Sequence, residues 1–426
     1  MKTLYDTVAE FISGDWGCET VNASAPQAGY CIRAADVVPI ETHDYSTIPL
    51  RFVSNSSFAQ RQLIKGDIVI EKSGGSPTQS TGRVVYISQP LLSAKRNIIC
   101  SNFCTTIRIK PEWDPYFVYQ YWRQVYSTGV FFNYEGKTSG LKNLQLEVAL
   151  KSIPIPEIDL PTQLRIAGVL GSIDEKIELN RKKIAELEAL AKTIYDYWFV
   201  QFDFPDKNGK PYKSSGGKMV WNDQLKREVP EGWRVKRLEQ VCDRIQSGGT
   251  PESKNEAYYG GSIPWFTTQE LKDSWVSHSA KTITPEAVRN SAAKIFPSGT
   301  VLLAIYAAPT VGRLALLSVD ATFNQACCGF VAGKDISKEY LFITLYEARA
   351  KLNSIADGTA QKNLSVGRMR TFDILVPEKS IMAQWRGVTE PIFDSIKIAS
   401  TNIDDLTSCR DRILPLLMNG QVKVAG

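Results

Sequence analysis

From Ile166 the apolar positions fall into steps of four and three: Ile166, Leu170, Ile173, Ile177, Asn180, Ile184, Leu187, Ala191, Ile194 and Trp198. This is the a/d seam of a coiled coil, and nine of its ten positions are apolar. Pro161 suits a first helical turn, and an uninterrupted stretch to Trp198 would be roughly 55 Å long at 1.5 Å per residue. At an offset of 222 the seam recurs as Val388, Ile392, Ser395, Ala399, Asn402, Leu406, Cys409, Ile413 and Leu416. The pattern predicts two long helices, over 160–200 and 380–420. Pro391 and Pro415 predict a kink or a shortened second helix. Asn180 falls opposite Asn402 in the repeat, and because a seam asparagine costs stability while fixing register, the two are expected to be neighbours. The alternative is that each helix packs on its own domain and both asparagines touch solvent.

The rest of the chain is also written twice. Leu4, Phe11, Gly14 and Asp36-Val37 match Leu238, Ile245, Gly248 and Glu270-Leu271 at an offset of 234, and Lys65–Ile70 matches Ser298–Leu303 at 233. Gly82-Arg83 matches Gly312-Arg313 at 230, Lys142-Asn143-Leu144 matches Lys362-Asn363-Leu364 at 220, and Ile155-Pro156-Glu157 matches Val376-Pro377-Glu378 at 221. The shared order carries the argument, since each match alone is short. Strand-like runs at 68–70, 83–87, 98–109 and 301–306 and helical patterns at 116–126 and 338–350 fill the two copies. The segment from Phe202 to Glu231, with Asp206-Lys207-Asn208-Gly209 and Ser214-Ser215-Gly216-Gly217, has loop chemistry. The resulting division is a first globular domain over 1–157, a helix over 160–200, a connector over 201–229, a second domain over 230–378 and a helix over 380–420.

Length and composition fit a globular chain of several domains: 426 residues, 43% hydrophobic and 22% charged. Lys plus Arg at 50 against Asp plus Glu at 45 leaves a net charge of +5, too small an excess to identify a nucleic-acid partner. The start of the chain lacks a secretory pattern and the most apolar stretch, 300–311, is about half the length a membrane helix needs, so a cytoplasmic protein is expected. Eight cysteines include no Cys-x-x-Cys pair and read as reduced thiols.

The chemistry excluded is broad. Two histidines, His43 and His278, lie far apart, which leaves metal sites and Ser-His-Asp arrangements without material. Gly136-Lys137-Thr138 is preceded by Phe131 where a phosphate loop needs its first glycine, and no G-x-G occurs for a dinucleotide or S-adenosylmethionine loop. Asp114-Pro115-Tyr116-Phe117 is similar to the D-P-P-Y of adenine methyltransferases but lacks the second proline, and a turn is the better reading. No catalytic residue, no metal ligand and no cofactor are expected on this chain.

Two similar units joined through long helices can read two sites on a repetitive polymer, as a dimer reads two half-sites. Candidate DNA contacts in the first copy are Lys72, Ser73, Gly74, Gly75, Ser76, Gln79, Ser80, Arg83, Lys95 and Arg96. The second copy offers Tyr306, Thr310, Arg313, Asn324 and Gln325. Arg and Lys suit phosphates and guanine, Asn and Gln adenine edges. Replacing Arg83 or Arg313 with Ala is expected to weaken one half of a target only. Candidate residues for helix pairing and partner docking are Ile166, Leu170, Ile173, Ile177, Asn180, Ile184, Leu187, Ile392, Asn402, Leu406 and Ile413.

Three stretches carry a family resemblance: Trp198-Phe199-Val200-Gln201-Phe202-Asp203-Phe204-Pro205, Gly209-Lys210-Pro211-Tyr212-Lys213-Ser214-Ser215-Gly216-Gly217, and Val229-Pro230-Glu231-Gly232-Trp233. With Gly248-Gly249-Thr250-Pro251 and Gly260-Gly261-Ser262-Ile263-Pro264-Trp265, they resemble the specificity subunits of Type I restriction-modification systems along the whole chain. The first domain departs from the pattern by lacking a Pro-Glu-Gly-Trp start. The resemblance implies an α+β architecture: two similar α/β target recognition domains separated by two long antiparallel coiled-coil helices, an internal pseudo-twofold repeat. It further implies double-stranded DNA as ligand, read as a bipartite target, and two modification subunits docked on the helices. Those subunits would carry S-adenosylmethionine, and restriction subunits would carry ATP and Mg. Two other readings stay open: a DNA-independent coiled-coil adaptor, and a self-sufficient methyltransferase or nuclease with a degenerate site.

Overall fold

The computed structural model describes residues 1–74, 76, 78–138, 141–306, 310–356, 363–422 and 424. They form two compact units: Met1–Leu179 with Asp404–Gly426, and Asn180–Ile403.

In the first unit, strands β1 (Val8–Ser13), β2 (Gln27–Ile32), β3 (Leu50–Val53), β4 (Ile68–Glu71), β5 (Val84–Tyr86), β6 (Ile98–Cys100) and β7 (Cys104–Ile109) build two sheets, ordered β1-β7-β4-β5 and β3-β2-β6. Ile68, Val69 and Ile70 of β4 are all buried, the continuous apolar run of a strand covered on both faces. Helix α1 (Pro115–Ser127) follows. The Asp114-Pro115 pair begins it: Asp114 Oδ1 accepts from the Phe117 amide at 2.7 Å, and proline occupies the first turn. The motif similar to D-P-P-Y is therefore a helix cap. The long helix α2 (Leu160–Tyr195) starts in this unit, with Pro161 in its first turn as the sequence predicts.

The second unit repeats the plan. Strands β8 (Cys242–Ser247), β9 (Tyr259–Phe266), β10 (Ser274–Val276), β11 (Lys281–Ile283), β12 (Val301–Ala304), β13 (Leu314–Leu317), β14 (Thr322–Phe323) and β15 (Cys327–Ala332) form sheets ordered β8-β15-β12-β13-β10 and β11-β9-β14. The smaller sheets share one pattern: β2 pairs antiparallel with β3 and parallel with β6, and β9 pairs antiparallel with β11 and parallel with β14. Gly14 and Gly248 explain two of the repeated glycines. A Cβ on Gly14 would lie 1.9 Å from the Ser101 carbonyl oxygen, and one on Gly248 2.0 Å from that of Phe323, so only glycine fits. Helix α3 (Lys338–Glu347) corresponds to α1, and α4 (Lys379–Met418) is the second long helix.

The long helices pair antiparallel within each unit. In the first, Ile166 and Leu170 of α2 share a buried core with Leu414, Leu417 and Met418 of α4. In the second, Tyr195 and the Trp198 and Phe199 that follow α2 pack with Met382, Trp385, Phe393 and Ile396 of α4. The predicted shortening of α4 does not occur: the helix runs through Pro391 and Pro415. Four residues before Pro391 stands Gly387, where even an added Cβ would meet nothing within 4 Å. The seam of α4 is also displaced, because Val388 is exposed while Trp385, Thr389, Phe393 and Ile396 are buried. Asn402 is exposed and Asn180 half-buried, so water can satisfy the Asn402 amide without a matching partner.

The connector contains a β-hairpin that the loop reading did not anticipate, Met219–Asn222 against Arg227–Pro230. Before it, the Asp203 carboxylate accepts from the Ser214 amide at 2.7 Å and the Ser214 hydroxyl at 2.6 Å. The Ser214 hydrogen bonds hold this carboxyl below its usual range. A depressed carboxyl contributes stability above its ordinary pKa, and that stability is lost as pH falls through the depressed value. Asp203→Asn is accordingly expected to flatten the fall of Tm below about pH 4. An unchanged acid limb in a thermal-melt series would refute this.

Candidate nucleic-acid interface

Each unit carries a loop after the central strand of its larger sheet, at residues 72–83 and 305–313. Both are tethered alike. The Leu144 amide donates to the Lys72 carbonyl at 2.7 Å, and the Leu364 amide donates to that of Ile305 at 2.8 Å. The loops close on Gly82 (φ 97°) and Gly312 (φ 85°), whose left-handed backbone favours glycine. Trp122 Nε1 holds the Gly82 carbonyl at 2.8 Å, and Arg349 Nε holds the Gly312 carbonyl at 2.7 Å. One backbone plan thus presents different side chains.

In the first loop, Lys72, Ser73, Gly74 and Ser76 are half-buried and Gln79 is exposed. The Ser73 hydroxyl donates to Asn143 Oδ1, and Ser76 and Gln79 exchange backbone hydrogen bonds of 2.9 and 3.2 Å. Gly74 (φ 142°) would set a Cβ 2.6 Å from Glu71 Oε1. Ser80 is buried, and its carbonyl accepts from the Tyr126 hydroxyl at 2.8 Å. Gly75 lies outside the described residues. Lys95 sits over the Tyr30 ring at 4.4 Å on the smaller sheet, and Arg96 is exposed.

The Arg83 Nε and Nη2 donate to the Glu71 carboxylate at 2.7 and 2.8 Å, and Nη2 also reaches the Ala34 carbonyl at 3.1 Å. Glu71 is buried, and its hydrogen bonds lift the Arg83 guanidinium above its ordinary range. Arg83 thus makes an internal, two-pronged ion pair. Lys142 is likewise neutralised by Glu135 at 2.9 Å. Lys72 makes no ion pair among the described residues.

In the second loop Tyr306 is exposed and Thr310 buried. The half-buried Arg313 makes no side-chain hydrogen bond or ion pair among the described residues. Asn324 Oδ1 accepts from the Ala326 amide at 3.1 Å, and the exposed Gln325 takes a hydrogen bond from the Thr250 hydroxyl. Asn143, in a repeated Lys-Asn-Leu, and Thr250, in a Gly-Gly-Thr-Pro run, thus bond to the candidate contacts Ser73 and Gln325.

Of the helix residues singled out, Ile166, Leu170 and Ile177 are buried, and Ile173, Ile184, Leu187, Ile392, Leu406 and Ile413 are half-buried. No cluster of metal-ligating side chains occurs among the described residues, and no helix there is long and apolar enough to cross a membrane. Burial pushes the Cys104 and Cys328 thiols up to about 12, which keeps them protonated at neutral pH.

The family described as Type I restriction modification DNA specificity domain matches residues 53–189 and again 230–386. The Type I restriction enzyme MjaIX specificity subunit of Methanocaldococcus jannaschii is 24% identical over 278 residues, 65% of this chain and 62% of that protein. The match therefore spans somewhat under two thirds of that relative's length. The HindI specificity subunit of Haemophilus influenzae is 24% identical over 325 residues, 65% of this chain and 70% of that protein. The crystal structure of a Type I restriction-modification S subunit from M. genitalium is similar in fold, with a TM-score of 0.56 and 14% identity over 98% of this chain and 95% of that one.

Proposed function

Because this chain belongs to the Type I restriction-modification DNA specificity family, we propose that it reads a bipartite DNA target for partner subunits that do the chemistry. The observation carrying this is the duplicated loop: one tethered, glycine-closed turn in each unit, with side chains that differ between the copies. Loops tethered alike but carrying different side chains suit two different half-sites. Lys72, Gln79 and Arg96 in the first unit, and Tyr306, Arg313 and Gln325 in the second, are the groups free to face DNA. The long helices set the gap between half-sites and dock two modification subunits. Those subunits supply S-adenosylmethionine, and the held duplex lets one of them flip an adenine from the stack. Restriction subunits, where present, bring ATP and Mg. The chain itself is non-catalytic and works in the cytoplasm.

The test is selection from a randomised DNA pool by the chain co-purified with its cognate adenine methyltransferase, followed by sequencing of methylated survivors. A split motif with a fixed unread gap is expected, and exchange of one recognition domain should change one half only. The neutralised Arg83 and Lys142 favour a second reading, a DNA-independent adaptor. A complex that forms, enriches no sequence and shows no salt-dependent DNA binding would establish the adaptor instead.

A further inference from the structure

At matching positions the two recognition domains are seated on their helices by different chemistries, although the second also has the Tyr195–Thr344 hydrogen bond at 3.1 Å and the Lys192–Glu347 ion pair at 3.4 Å. In the first unit Asp174 of α2 accepts from the Tyr116 hydroxyl, from Gln120 Nε2 at 2.8 Å and from Arg410 Nη1 at 2.8 Å. Gln120 Nε2 also donates to the Tyr116 oxygen at 2.8 Å, and its Oε1 accepts from Arg123 Nη1 at 3.3 Å. Tyr116, Gln120 and Arg123 belong to α1, Asp174 to α2 and Arg410 to α4. One carboxylate therefore ties the recognition domain to both long helices. Gln120 is fully buried, and burial together with the Asp174 charge pushes the Tyr116 phenol far above its usual range, so it remains a donor.

The repeat, at 223 residues between α1 and α3 and 222 between the long helices, places Glu339, Ile343, Tyr346, Ile396 and Glu188 at the matching positions. There Ile343 and Ile396 are buried in one core with Phe342 and Phe393, whose rings meet edge-on at 6.0 Å. Trp275 Nε1 closes that seat on the Phe393 carbonyl at 3.0 Å. Apolar packing is non-directional, whereas a buried carboxylate with three donors is satisfied in one register and leaves orphaned polar groups in any other.

We propose that Asp174 is a positioning residue that holds the first recognition domain in the single register at which its half-site is read. This rests on the bipartite reading above. Duplexes carrying the selected target with its gap, and with the gap one base pair shorter or longer, would be methylated by the complex. Asp174→Asn keeps the shape and removes the charge. Because hydrogen bonds to a charged group are worth about a tenfold factor or more, gap discrimination is expected to fall about tenfold with the half-site sequences unchanged. Asp174→Glu keeps the accepting carboxylate and should retain discrimination that Asp174→Asn loses. Hydrogen exchange along α1, which needs no target, should rise in Asp174→Asn and stay nearer wild type in Asp174→Glu. Unchanged discrimination with unchanged α1 exchange overturns the proposal. So does an equal loss of methylation at every gap, tracking a lowered Tm and the same in Asp174→Asn and Asp174→Glu. If no split target emerges from the wild type, the bipartite reading fails, while α1 exchange still reports whether Asp174 fixes the seat.

Discussion

Arg83→Ala is expected to destabilise the first unit by about 3–5 kcal/mol, the usual loss when one partner of a buried ion pair is removed. The side chain it strands is Glu71, only 1% exposed and bonded through both oxygens to the guanidinium. The matched variant in the second unit behaves differently. The position matching Glu71 is Ala304, so Arg313 has no buried carboxylate to satisfy, and Arg313→Ala should change stability by no more than about 0.5 kcal/mol. Denaturant unfolding followed by hydrogen exchange assigns each loss to its unit. Target selection then completes the contrast. Arg313→Ala should relax the second half-site of a folded protein, whereas Arg83→Ala should reduce the folded first unit without altering which bases it prefers. Equal destabilisation by the two variants would remove the ion-pair argument.

The Glu71–Arg83 pair also marks how far the sequence could be read. Arg83 stood in a strand-like run and Glu71 directly followed one, and the antiparallel pairing of Ile70 with Val84 sets Glu71 opposite Arg83. What hid the pair was register, which a single sequence leaves open wherever a strand is apolar on both faces. The repeat was legible for the opposite reason. Gly14 and Gly248 stand against a backbone carbonyl, and Gly82 and Gly312 in left-handed turns, so neither pair could drift into other residues. The connector hairpin had no such punctuation, since its turn is built from Asp223-Gln224-Leu225-Lys226 with Lys226 at φ 52° and lacks the usual Asn-Gly or Gly. Among the candidate contacts, availability did not follow from residue type, because the ion pairing of Arg83 depends on three-dimensional neighbours.

Trp385→Ala should cost the second unit about 3–5 kcal/mol, the range for removing a large buried aromatic. Trp385 is fully buried, with its ring 4.8 Å from Phe199, 5.9 Å from Trp198 and 6.0 Å from Tyr195. It lies off the seam taken from the repeat, which would place Val388 inward. A narrow a/d stripe describes a helix with one partner, whereas this part of α4 packs against α2 and a recognition domain together and buries a wider face. The Trp385 Nε1 has no hydrogen-bond partner among the described residues. Trp385→Phe therefore gives up ring volume but strands no acceptor, and its loss should be well below that of the alanine variant. Val388→Ala, at an exposed position, should stay within about 0.5 kcal/mol. Urea unfolding of the three variants orders the two faces: a larger loss at Val388 than at Trp385 would return the helix to the seam the heptads predicted.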